Sequence, residues 1–179
     1  GGVQDYIMKD NLVRLVPVIK RELKQASDRR ARRIAEKSLA HLSDYDKLTG
    51  LVNRERFKVL LENTLSLAKT EKRRHGLLYL DLDQFKIIND SVSHDIGDEF
   101  LKGLTRSLNK SIRATDTLAR LGGDEFGLLV ENATLEGLTD IANNLLVYIN
   151  NFKMAWQDKT LSTTASIGVV IIDDSIQDV

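Results

Sequence analysis

Apolar residues change rhythm along this chain, and each change marks an expected element. Over 55–72, Phe57, Leu60, Leu61, Leu65 and Leu67 recur at helical spacing, so the segment reads as a helix with one buried face. Residues 77–82, Leu-Leu-Tyr-Leu-Asp-Leu, read as a strand, and the polar stretch 83–94 reads as a loop. Helical spacing returns over 96–112 through Phe100, Leu101, Leu104, Leu108 and Ile112, and over 135–151 through Leu138, Ile141, Leu145 and Ile149. Between these helices, strands 117–121 and 125–131 flank a Gly-Gly turn. Residues 153–157 and 161–172 read as extended, with Ala165 to Ile172 strongly apolar.

Ahead of these elements, 11–45 reads as a long helix rich in Lys, Arg, Glu and Ala. Ile19, Leu23 and Ala26 share one face, which Ile34 and Leu42 continue after a phase shift. Such a narrow stripe suits a two-helix seam rather than a globular core. Pro17 kinks an early turn or sits near the helix start. The cluster Arg29, Arg30, Arg32 and Arg33 reads as a solvated helix face rather than a nucleic-acid patch. Residues 46–54 are loop-like, with Gly50 as pivot, and 1–10 are too few to form a domain.

From 77 onward the order is βαββαβ, the ferredoxin-like arrangement of the α/β (α+β) class, preceded by the long helix. A right-handed crossover sets the second strand parallel to the first, with the third between them and antiparallel. The C-terminal end of the first strand then lies beside the turn that begins the third. Asp81 and Asp83 stand at the first place, Asp124 and Glu125 at the second. Acids more than 40 residues apart in sequence are thereby expected to converge.

Composition narrows the field. The 179 residues are enough for one domain plus an appendage, and an apolar content of 42% allows a sizeable core. Lys+Arg and Asp+Glu both number 26, so global charge does not point to a nucleic-acid partner. The chain has no cysteine, which excludes disulfides and thiolate metal sites and fits a reducing compartment. No apolar run reaches membrane-spanning length, and no signal-peptide pattern is seen.

The chemistry centres on Arg-Leu-Gly-Gly-Asp-Glu-Phe, residues 120–126. Gly122 and Gly123 allow a tight turn and let a backbone approach a bulky ligand closely. Asp124 and Glu125 beside that gap suit Mg²⁺ carrying a phosphorylated substrate. An ordinary hairpin with a solvated tip has no need of acids waiting on the neighbouring strand.

Four blocks together resemble the GGDEF family of diguanylate cyclases: Asp46-x-Leu-Thr-Gly-Leu-x-Asn-Arg54, Leu80-Asp-Leu-Asp-x-Phe-Lys-x-x-Asn-Asp90, His94-x-x-Gly-Asp98 and Arg120-x-Gly-Gly-Asp-Glu-Phe126. The resemblance covers 46–172 and implies a palm like that of nucleotidyl cyclases, condensing two GTP into cyclic di-GMP with release of pyrophosphate. It implies Mg²⁺ (or Mn²⁺) held by Asp81, the carbonyl of Leu82, Asp124 and Glu125. Asp124 and Glu125 then serve catalysis, with Asp124 near the attacking 3′-hydroxyl. Asn89 and Asp98 would face guanine, whose acceptors and donors an amide and a carboxylate complement together. Phe85 and Lys86 would belong to a phosphate-cradling turn, Gly122 and Gly123 to the substrate gap, and His94 would brace the loop.

The same resemblance makes Arg113-Ala-Thr-Asp116 a site for cyclic di-GMP as feedback inhibitor, and homodimerisation part of the reaction. It implies a bacterial cytoplasmic signalling protein without nucleic-acid partner. The other reading is a catalytically silent GGDEF module that binds GTP or cyclic di-GMP and regulates an attached domain. Ser93 stands where the family usually has glycine. The family continues past the last strand into a helix whose Lys and Arg hold the triphosphate; this chain stops at Val179, so it reads as a truncated fragment. Gly2-x-x-Asp5-Tyr-Ile-Met-Lys9 resembles the last strand of receiver domains, which would make 1–10 a receiver remnant, 11–45 a linker helix and the parent a two-component response regulator.

Overall fold

The structure, a computed structural model, describes residues 19–30 and 44–176. The chain divides into two units, Gly1–Leu42 and Ser43–Val179. In the first, residues 19–30 form a helix, α1, on which Ile19, Leu23, Ala26, Arg29 and Arg30 are exposed. The receiver-like segment 1–10, Pro17, Arg32, Arg33, Ile34 and Leu42 lie outside the described residues.

The second unit runs β1 (Val52–Asn53), α2 (Arg54–Glu71), β2 (His75–Leu82), α3 (Phe85–Ser91), α4 (His94–Ser111), β3 (Thr117–Gly122), β4 (Glu125–Val130), α5 (Leu135–Asn151), β5 (Met154–Trp156), β6 (Lys159–Leu161) and β7 (Ala165–Ile172). Five strands form one sheet in the order β1-β3-β4-β2-β7. β4 is antiparallel to both β2 and β3, so β2 and β3 run parallel with β4 between them, as the ferredoxin-like order requires. β7 pairs antiparallel with β2, and β1 adds a parallel edge beside β3.

Alternation along β2 decides which helices go where. Leu78, Leu80 and Leu82 point to one face and are buried against Phe100, Leu101, Leu104 and Leu108 of α4 and Leu138, Leu145 and Ile149 of α5. On the other face, α2 lays Phe57, Leu61, Leu65 and Ala68 over Ala119, Leu129 and Ile172. The Phe57 ring occupies the space a side chain at position 127 would need, so Gly127 is what lets α2 approach β4. α2 starts on Asn53, whose side chain accepts from Arg56 N at 2.9 Å, and α5 on Thr134, which accepts from Gly137 N at 3.1 Å.

Several expectations are corrected. The loop expected over 83–94 contains α3: Phe85 and Ile88, three apart, are both buried, and this packing overrides the polar composition around them. α4 begins at His94 rather than 96 because Ser93 caps it, accepting from Ile96 N at 3.4 Å. That cap also supplies a reason for serine at a position where the resemblance calls for glycine. The extended stretches 153–157 and 161–172 resolve into a separate β5–β6 hairpin, with Gln157 at φ 51°, followed by β7. Leu67, assigned to the buried stripe of its helix, is exposed; Ala68 takes that place.

Candidate functional site

The Gly-Gly turn is built from both sides. Gly122 and Gly123 take φ of 151° and 51°, values that a side chain resists, and a bulge separates Arg120 from Gly122 in the ladder. Arg120 donates from Nε and Nη2 to the Gly123 carbonyl at 3.0 and 2.8 Å, and from Nη1 to Asp46 Oδ1 at 3.2 Å. Asp46 also accepts from Thr49 N at 2.8 Å and Thr49 Oγ1 at 2.6 Å. Burial pushes the Asp46 carboxyl upward, but the Thr49 and Arg120 hydrogen bonds outweigh it and hold the pKa below the ordinary aspartate value. One guanidinium thus ties the turn to the 46–54 loop, a role that reading residues singly did not assign to Arg120 or Asp46.

Arg120→Ala is expected to cost about 1.5–3 kcal/mol at neutral pH, the usual range for hydrogen bonds to charged groups. Because the Asp46 pKa is lowered in the folded state, its stabilisation is present above the unfolded value and is lost as pH falls through the folded value. Urea unfolding at pH 7 and at pH 3 should therefore show a smaller gap between variant and parent in acid; equal gaps would separate Arg120 from Asp46.

The strand register brings the acids together. Asp81 on β2 stands directly opposite Glu125 on β4, and Leu82 N donates to the Asp124 carbonyl at 3.2 Å. Asp81, Leu82, Asp124 and Glu125 are therefore neighbours at the C-terminal end of β2. Burial raises the Asp81 pKa, and the negative charges of Asp124, Glu125 and Asp83 raise it further. None of Asp81, Asp124 and Glu125 takes part in an ion pair among the described residues. Nor do three such side chains already clasp a common point among the described residues. Clustered, unneutralised carboxylates with a main-chain carbonyl at hand are the donor set a hard divalent cation takes, so the residues present fit Mg²⁺.

Asp83 does not join that cluster. Its carboxylate accepts from Thr164 Oγ1 at 2.6 Å and Ser166 Oγ at 2.8 Å, which lower its pKa, and its carbonyl accepts from Thr163 Oγ1 at 2.9 Å. β2 ends at Leu82, so the alternation that would place Asp83 beside Asp81 stops one residue short, and Asp83 straps the chain to β7 instead.

The expected substrate-binding residues separate into core and surface. The Phe85 side chain is 5% exposed and packs near Phe100, so the side chain belongs to the core rather than to a cradle. Only the Phe85 and Lys86 amides, at the start of α3, are left without intrahelical acceptors. Asn89 Oδ1 is buried without a hydrogen-bond partner among the described residues and presses on Gly97 of α4, where a methyl group would overlap it. Asp98 follows Gly97 directly and is exposed, as is His94 at the first position of α4. Asn89 thus meets α4 at the residue that precedes Asp98.

Arg113 and Asp116 close a turn, Asp116 N donating to the Arg113 carbonyl at 3.0 Å. Both line a cavity of about 260 Å³ with Asn144 and Tyr148 of α5. Asp116 Oδ1 is already engaged by Glu131 N at 3.3 Å and Thr115 Oγ1 at 3.2 Å, which fixes the carboxylate on the cavity wall.

A profile described as "Diguanylate cyclase, GGDEF domain" matches residues 43–179. The chain is 37% identical over 139 residues to the probable diguanylate cyclase DgcE of Escherichia coli, covering 78% of this chain but only 13% of that one. A solved structure comprising only the GGDEF domain of TpbB from Pseudomonas aeruginosa matches with 31% identity and a TM-score of 0.66, over 73% of this chain and 80% of that one. The coiled coil and GGDEF domain of DgcB from Caulobacter crescentus, in complex with c-di-GMP, matches in fold with a TM-score of 0.82 at 19% identity, over 89% and 85% of the two chains. Among the described residues, no helix is long and apolar enough to cross a membrane.

Proposed function

The chain belongs to the GGDEF-domain diguanylate cyclase family, and from that premise we propose that it condenses two GTP into cyclic di-GMP with release of two pyrophosphates. The observation that carries this reading is the pairing of Asp81 with Glu125 beside the Leu82–Asp124 hydrogen bond. Asp81, the Leu82 carbonyl, Asp124 and Glu125 would hold Mg²⁺. When bound there, the cation supplies a lowered hydroxyl pKa and neutralisation of phosphate charge. Asp124, beside the two turn glycines, lies where the attacking 3′-hydroxyl enters. The open Gly122–Gly123 backbone admits the nucleotide, and Arg120 keeps that turn from collapsing. Asn89 and Asp98 read the guanine edge, with Gly97 giving the amide room.

Cyclic di-GMP contains two 3′–5′ linkages, and one domain presents one nucleotide. Two copies must therefore face each other, so the protein acts as a homodimer. Incubation with GTP and Mg²⁺, followed by chromatography, should yield cyclic di-GMP. GTP left intact contradicts the reading.

The Arg113–Asp116 cavity is the proposed seat of feedback by cyclic di-GMP. A guanidinium there can take phosphate or guanine bidentately. Arg113→Ala should raise the cyclic di-GMP concentration needed for half-inhibition about tenfold, the loss of one charge-assisted pair. An unchanged inhibition curve removes the assignment.

A further inference from the structure

The chain leaving α5 lies against α4 before it enters the β5–β6 hairpin. The Phe152 ring meets Phe100 edge-on at 5.2 Å and covers Gly103, where a methyl would come within 2.9 Å of it. Between α4 and β5 runs a groove of about 790 Å³, lined by the half-buried Phe152 and Met154 and by the exposed Arg106, Lys110 and Lys153. None of these three cations takes part in an ion pair among the described residues. Glu99, also on the wall, is already engaged by Lys102 Nζ at 2.8 Å. Like charges four apart on one helix, as Arg106 and Lys110 are, work against the fold unless an anion joins them. The wall opposite α4 is an open strand edge. Among the described residues β5 pairs with β6 alone, in the register Met154↔Leu161, Ala155↔Thr160 and Trp156↔Lys159. The two-residue turn Gln157-Asp158 makes the pair that flanks it, Trp156 and Lys159, hydrogen-bonded, so the next pair is not. The N–H and C=O of Ala155 therefore point away from β6, and Ala155 lines the groove. No backbone group outside the hairpin takes them up among the described residues.

We propose that this groove is a docking site for an acidic, extended polypeptide segment of a partner protein, which adds to the open edge of β5 at Ala155 and sets its carboxylates against Arg106, Lys110 and Lys153. Main-chain hydrogen bonds give an added strand its affinity, and alternate side chains give it specificity. Acids on one face of the segment match the three cations, and apolar residues on the other match Phe152 and Met154. A neutral strand gains nothing from the cations and a basic one is repelled, so Lys153 beside the open edge also excludes indiscriminate pairing. A polyanion without peptide groups would meet the cations but leave Ala155 unpaired, and the edge is what selects polypeptide.

The test is the fluorescence anisotropy of a fluorescein-labelled peptide of alternating Glu and Leu, titrated with the full chain. A Lys–Leu peptide of the same length and a single-stranded oligonucleotide of the same charge are run beside it. The Glu–Leu peptide should bind, and the double variant Arg106→Glu, Lys110→Glu should weaken it about tenfold. Ala155→Pro should weaken it about fivefold, the loss of one main-chain hydrogen bond. Proline is tolerated on an edge strand whose N–H faces outward, and circular dichroism checks that each variant is folded. A Glu–Leu peptide N-methylated throughout cannot donate to the Ala155 carbonyl, and it should bind the unaltered chain about fivefold more weakly. That measurement tests the edge without changing the protein. No binding of the Glu–Leu peptide overturns the proposal, as does equal binding of the Lys–Leu peptide or no loss on charge reversal. Tighter binding of the oligonucleotide assigns the groove to a phosphate backbone, and full affinity of the N-methylated peptide leaves charge without strand addition; either overturns it too.

Discussion

Asp81→Asn is expected to reduce cyclic di-GMP formation by about a thousandfold while leaving the fold intact and no less stable. The rate loss follows from removing a charged cation ligand, an interaction worth several kcal/mol at the transition state, with each 1.36 kcal/mol a factor of ten. The stability expectation has the opposite sign. Burial and three neighbouring acids raise the Asp81 pKa in the folded protein. A carboxyl raised in this way favours folding fully below its unfolded pKa, and the benefit is lost as pH rises through the folded value. At neutral pH the charge therefore works against the fold, and asparagine removes it without changing shape. Thermal unfolding at pH 7 should show an equal or higher midpoint, with the excess shrinking towards pH 4. A cooperative loss of stability at pH 7 would make Asp81 structural.

Gly97→Ala is expected to lower kcat/KM for GTP about a hundredfold, though the change would ordinarily favour a helix by about 1 kcal/mol. A methyl at this position overlaps Asn89 Oδ1, and no backbone atom outside the helix stands in its way. The amide is the end of a flexible side chain, so Asn89 turns aside while α4 stays in place. Losing an amide's paired hydrogen bonds to a base edge costs about 1–3 kcal/mol, and the displaced side chain also occupies space the base needs. The loss should appear in KM, and ITP, which lacks the exocyclic amine, should be affected less than GTP. Unchanged GTP kinetics would separate Asn89 from base recognition.

What could be read from sequence depended on whether local pattern or distant packing governs each residue. Leu138, Ile141, Leu145 and Ile149 alone define α5, because one amphipathic helix covers one sheet face and its period survives without neighbours. The approach of Asp81 to Glu125 followed from topology, since the handed crossover leaves few ways to order the strands. α3 did not show itself: two buried residues, Phe85 and Ile88, are too few to display a period, and only contact with α4 fixes the segment.

The site divided along the same line. Asp81 and Asp83 are equivalent in the sequence, yet Thr164 and Ser166, more than 80 residues away, claim the second. Phe85 carries a motif position, and its burial becomes visible only once Phe100 is beside it. The Arg120–Asp46 tie spans 74 residues, and nothing local announces it.

A crystal of the chain grown with Mn²⁺ and a non-hydrolysable GTP analogue, measured at the manganese absorption edge, puts the shared-cation site at risk in one step. An anomalous peak bounded by the Asp81 carboxylate, the Leu82 carbonyl and the signature carboxylates, with the α-phosphate against it, is the expected result. Nucleotide bound with no ion between residues 81 and 125, or an ion held elsewhere, would contradict it.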